Sequence, residues 1–176
     1  NRVGMQGALN HTSRFGLNPS EWTLPKMLKE RGYATGCFGK WHLGNAPEYH
    51  PAKRGFDEAI ESSGKHFDFE TTPKTPYPKD QYLADFLTDK AVDFIQRNQA
   101  KPFLLYLPHF GVHSPFQAKP ELVAKFKGKP GAGGHNSPTY AAMIASVDEG
   151  AAWEKLVARA RVGGARPSGL FLHELL

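Results

Sequence analysis

The sequence predicts an α/β fold, a mainly parallel sheet flanked by helices, on three observations. A helical pattern followed by a strand occurs twice, over 24–31 then 34–38 and over 80–98 then 103–107. The second strand, Phe103-Leu104-Leu105-Tyr106-Leu107, is apolar throughout, as a strand covered on both faces of a parallel sheet is. Both strands run directly into loops bearing Lys40, His42 and His113, and open α/β sheets bind ligands at the carboxyl ends of their strands.

Taken in order, residues 1–20 are rich in Gly, Asn, His and Ser and read as loop. Thr23 is the expected cap of the helix over 24–31. Pro25 is tolerated in its first turn, and Leu24, Met27 and Leu28 form its buried face. Gly32 closes it in the left-handed conformation. If the extended chain continues past the strand at 34–38, Lys40 and His42 project to one side and Trp41 to the other. A fixed cation beside an imidazole that moves protons near neutral pH suits an anionic group whose ester is cleaved.

Residues 45–55 read as irregular, and Gly55-Phe56-Asp57-Glu58 leads into a short apolar segment. Residues 62–79, with Pro73, Pro76 and Pro78, read as a surface loop that either borders a substrate pocket or simply connects. The clearest helix is 80–98, where Leu83, Phe86, Leu87, Ala91, Phe94 and Ile95 recur at three- and four-residue spacing. Lys101-Pro102 breaks it, and Pro108 is expected to end the strand that follows. The loop His109–Pro115 then carries His113, with His109 read as structural or solvent-exposed. A short amphipathic helix is expected around Leu122, Val123 and Phe126, and a flexible loop over 128–134. A helix over 138–150 follows, with Tyr140, Met143, Ile144 and Val147 on one face. Beyond Gly150 the chain is heavy in Ala, Arg and Gly. A helical start over 153–158 and a strand at 170–172 are expected there, with low order after about residue 160.

The 176 residues suffice for one domain with a core, and 40% apolar content excludes a disordered chain. A net charge of +5 suits either acidic or sulfated polymers or an ordinary solvated surface, and without any long Lys/Arg run it points away from nucleic acid. The longest clear apolar run is five residues, far below a membrane span. The single cysteine, Cys37, has no partner for an internal disulfide and reads as a buried apolar filler.

Residues 32–44, Gly-Tyr-Ala-Thr-Gly-Cys-Phe-Gly-Lys-Trp-His-Leu-Gly, resemble the second signature of the sulfatase family. That signature runs roughly Gly-Tyr-x-Thr-x-x-small-Gly-Lys-Trp-His-x-Gly; the spacing matches throughout, with Phe38 standing where the family has a smaller aliphatic residue. Gly55-Phe56-Asp57, the apolar strand running into His113-Ser114-Pro115, and the helix containing Tyr140–Ile144 extend the resemblance over about residues 16–149.

The resemblance implies a partial alkaline-phosphatase-like domain, truncated at both ends. Residues 1–150 would be a partial sulfatase catalytic domain and 151–176 a divergent or frame-shifted tail. It implies catalytic roles for Lys40, His42 and His113, with Lys40 and His113 also binding substrate, and a sulfated small molecule or glycan as that substrate. Calcium is expected in the complete family enzyme, but no residue here is assigned to metal. The family's Cys-x-Pro-Ser-Arg motif, whose cysteine or serine becomes formylglycine, does not occur; Asn10-His11-Thr12-Ser13-Arg14 shares only Ser-Arg with it. A periplasmic, secreted or lysosomal setting is usual for the family. Its alternatives are a phosphatase or phosphodiesterase of the same superfamily, or an inactive anion- or glycan-binding remnant.

Overall fold

The computed structural model describes Leu9 and residues 15–151, together with the backbone of 169–175. Pro25 pre-sets the first turn of α1 (Leu24–Lys29). Gly32 closes the turn after it at φ 81, and β1 (Ala34–Gly39) begins two residues later, buried along its whole length. Two short 3₁₀ turns, Pro47–Tyr49 and Pro51–Arg54, occupy the stretch expected to be irregular. They lead into β2 (Glu58–Ser63), which pairs parallel to β1. The chain then returns as β3 (Glu70–Thr72), antiparallel to β2, so the proline-rich stretch is not all surface loop. Phe69 and Tyr77 make it pack: their rings stack at 3.9 Å and Phe69 is buried against α2.

The helix α2 (Leu83–Asn98) buries all six residues of the predicted apolar face. After it, β4 (Phe103–His109) pairs parallel to β1. Although β4 is apolar throughout, its period of two persists. Phe103, Leu105 and Leu107 meet α2, while Leu104 and Tyr106 pack with Cys37, Trp41 and Phe56 on the opposite face. Pro108 does not end the strand. It lacks a donor, but its carbonyl still accepts the Lys40 amide at 2.8 Å. The helices α3 (Pro120–Phe126) and α4 (Pro138–Ala151) follow. The last strand, β5 (Gly169–Leu175), lies parallel to β4 and in register along its length, completing the order β3-β2-β1-β4-β5. The sheet is therefore mainly parallel with one antiparallel edge strand, flanked by helices, as predicted.

Four further expectations need correction. Leu24 and Met27 are exposed, and the buried residue of α1 is Pro25. Thr23 sits at the head of α1 but its hydroxyl donates to the Arg54 carbonyl at 2.6 Å instead of capping the helix. On α4, Tyr140 and Ile144 are exposed and the buried face is Ala142, Met143, Ser146 and Val147. Small residues decide this, because they let α4 approach α2 closely: a Cβ on Gly150 would lie 2.2 Å from Thr88 Oγ1. Finally, the low order expected after about residue 160 does not hold for 169–175, whose backbone pairs with β4. The helical start expected over 153–158 lies outside the described residues. Among the described residues no helix is long and apolar enough to cross a membrane.

Candidate functional site

Gly39 is the last residue of β1, and its φ of 140° is one that residues with a Cβ rarely adopt. A Cβ there would lie 1.8 Å from the Pro108 carbonyl oxygen, so β1 and β4 touch backbone to backbone at their carboxyl ends. The Lys40 amide completes the junction by donating to that same oxygen. The extended chain does not continue as expected, because His42 turns into the left-handed region at φ 59. Trp41 faces inward, its Nε1–H donating to the Tyr49 carbonyl at 2.7 Å and its ring meeting Phe56 edge-on. Lys40 is half-buried and His42 is exposed.

On the neighbouring strand, β4 delivers His109, which is buried, so the structural of its two expected readings holds. Phe110 and the turn to His113 come next, with the His113 amide donating to the Phe110 carbonyl at 2.9 Å. His113 is exposed. Its Nδ1 lies 2.6 Å from the Ser114 carbonyl, and since a carbonyl only accepts, Nδ1 carries the proton and Nε2 is left for a ligand. Lys40 and His113 converge on one side chain. The Lys40 Nζ stands 5.3 Å from the Phe110 ring centroid, and the His113 ring lies 4.9 Å from the same ring. His42, two residues beyond Lys40, is exposed and turns away from the extended path at φ 59.

Three residues that support this arrangement carry no motif. His66 is buried between Tyr82 and Phe110, and its Nε2–H donates to the His113 carbonyl at 2.8 Å. Burial lowers its affinity for a second proton, an effect only partly opposed by that bond. Glu61, opposite Gly39 in the β1–β2 ladder, is pushed above the usual carboxylate range by burial, while His50 and Lys40 pull the other way. Phe110, quoted in the sequence only as a loop residue, is the common surface. Neither Glu61 nor His66 carries a signal in the sequence.

Two chemical tests bear on what this site holds. Cys37 is fully buried, and burial followed by the nearby Glu61 charge pushes its thiol far above the ordinary range, so it is not a nucleophile. Calcium takes several oxygen ligands, yet among the described residues no three His, Cys, Asp or Glu side chains group to hold a metal ion. The described residues do not fit that ion.

The family model described as Sulfatase matches residues 2–161. N-acetylgalactosamine-6-sulfatase of Canis lupus familiaris is 36% identical over 141 residues, 66% of this chain and 27% of that protein. Among solved structures, Ps i-CgsB in complex with k-i-k-neocarrahexaose aligns at a TM-score of 0.79 and 30% identity, over 98% of this chain and 44% of that one. A protein of the alkaline phosphatase superfamily from Vibrio parahaemolyticus shares the fold, at a TM-score of 0.50 and 18% identity over 86% of this chain and 34% of that one. The chain thus spans about a quarter of the length of the first of these relatives. With the signature at the end of β1 and a family match over residues 2–161, this chain belongs to the sulfatase family.

Proposed function

We propose that these residues form part of the active site of a sulfate ester hydrolase acting on sulfated glycans. The observation that supports this most is that Lys40 and His113 each lie against the Phe110 ring, just past the carboxyl ends of two adjacent parallel strands. Lys40 holds the sulfate by its oxygens, a fixed positive charge aimed at an anion that gains charge as the ester breaks. His113 supplies a proton to the leaving sugar oxygen from Nε2. Its Nδ1–H, held on the Ser114 carbonyl, fixes the orientation of the ring for this step. His42 moves a proton at the exposed rim of the same site. The glycan class is supported by the names of the relatives, one an N-acetylgalactosamine-6-sulfatase and one bound to neocarrahexaose.

Hydrolysis also needs a nucleophile, and the 176 residues hold no Cys-x-Pro-Ser-Arg and only the inert Cys37. General acid–base help alone is worth about 10²–10⁴-fold. The chain by itself is therefore expected to bind sulfate but to show no turnover of an aryl sulfate, with or without added calcium. The test titrates inorganic sulfate into the chain and its Lys40→Ala variant, with an aryl sulfate assay alongside. Equal sulfate affinity in both would overturn the role of Lys40. Turnover that vanishes in Lys40→Ala would mean that the chain contains a nucleophile other than the family's.

A further inference from the structure

We propose that the cavity beside the His113 loop is a subsite for an uncharged sugar ring next to the sulfated one, an inference that rests on the sulfated-glycan reading. The cavity measures about 420 Å³, within the range of small-molecule sites. Its apolar wall is Phe116, Tyr140 and Ile144, and its polar wall is His135, Asn136 and Ser137. Among the described residues, no Lys, Arg, Asp or Glu lines it.

These apolar residues lie on the surface for a structural reason. Because α4 turns its small residues to α2, Tyr140 and Ile144 are left 36% and 44% exposed, and Phe116 is 58% exposed. An apolar patch rimmed by polar side chains is the usual mark of a binding surface. Phe116 and Tyr140 meet edge to face, centroids 5.6 Å apart at 82°, which makes a concave corner. The polar wall is held by a tight turn: Gly133 and Gly134 take φ 56 and 83, and the His135 amide donates to Ala132 O at 3.0 Å. Consecutive positive φ values are those of a two-residue hairpin turn, so the stretch expected to be a flexible loop has a defined shape here. Ser137 Oγ accepts the Tyr140 amide at 3.2 Å, tying the wall to the start of α4.

A pyranose ring matches both walls. Its C–H faces carry the slight positive charge that aromatic faces attract. Its hydroxyls both donate and accept, as do an amide, an imidazole and a serine hydroxyl. The absence of charge among the described lining residues points to a neutral part of the substrate, with the sulfate left to Lys40. The reach is right: Phe116 is three residues from His113, at most about 10–11 Å along the chain, a span that a short oligosaccharide bridges.

The experiment titrates the chain with a neutral galactose-containing tetrasaccharide and with its 6-O-sulfated form, followed by saturation-transfer NMR and calorimetry. Both should bind. Phe116→Ala and Tyr140→Ala should each weaken both ligands by roughly three- to tenfold, and Phe116→Trp should retain binding. Lys40→Ala should weaken only the sulfated form. Phe116 is exposed enough that its loss should leave the circular dichroism unchanged. Failure of the neutral sugar to bind at millimolar concentration, or unchanged affinities in both aromatic variants, would overturn the subsite. So would variants that alter self-association in sedimentation without altering sugar affinity. Aromatic dependence that persists while Lys40→Ala changes nothing would instead refute the sulfate reading and leave the subsite standing.

Discussion

Replacing Gly39 with alanine should damage both the fold and the site, because one glycine joins the two strands that carry Lys40 and His113. The substitution places a methyl 1.8 Å from the Pro108 oxygen, whereas carbon and oxygen in contact stand about 3.3–3.6 Å apart. The strand ends must therefore part by about 1.5 Å or more, which breaks the 2.8 Å bond from the Lys40 amide to Pro108 O. Leaving a buried backbone group unpaired costs about 1–3 kcal/mol. The φ of 140° adds about 1–3 kcal/mol of backbone strain for a residue with a Cβ. Together these give a loss of about 2–6 kcal/mol, a large part of the roughly 5–15 kcal/mol that holds a domain folded. Urea unfolding followed by tryptophan fluorescence measures it, since Trp41 is buried two residues away. Gly36→Ala is the internal comparison. Its Cβ meets the Phe94 ring at 2.9 Å without positive φ, so only overpacking of about 1–3 kcal/mol is expected. A Gly39→Ala loss under about 1 kcal/mol, or one no larger than that of Gly36→Ala, would refute the reasoning.

Asp57 gives a pH prediction. Burial pushes its carboxyl up, but the Lys29 ammonium and the hydroxyl and amide of Thr35 outweigh burial and hold it below its ordinary value. A carboxyl depressed in the folded state adds stability above its unfolded pKa of about 4 and loses it as pH falls through the folded value, so Asp57→Asn should flatten the acid limb of stability against pH in urea titrations. Cys37 should not react with a thiol reagent in the native chain and should react once it is unfolded in urea. His66→Ala should strip the His113 carbonyl of its donor, lower stability by about 1–3 kcal/mol and shift the His113 imidazole resonances, which a mutation acting at a distance would leave in place.

The sequence by itself determined the elements whose pattern is local. The apolar spacing of Leu83, Phe86, Leu87, Ala91, Phe94 and Ile95 specified α2 and its buried face, and five consecutive apolar residues specified β4. The run from Gly32 to Gly44 and the His-Ser-Pro after β4 marked Lys40, His42 and His113 as candidates, because each follows a strand that is legible in the chain. The tertiary structure alone decided which residues meet. Lys40 and His113 lie 73 positions apart in sequence and share the Phe110 ring only because β1 and β4 pair with no side chain between them at Gly39. His66 reaches the His113 carbonyl from a stretch read as loop, and no period encodes such a bond. The misjudged helix faces have the same origin. A pattern of large apolar residues put Tyr140, Ile144, Leu24 and Met27 inside, but burial depends on how closely a helix approaches its neighbour. On α4 that approach is set by its smallest residues, Ala142, Ser146 and Gly150, against a side chain of α2 that is distant in sequence.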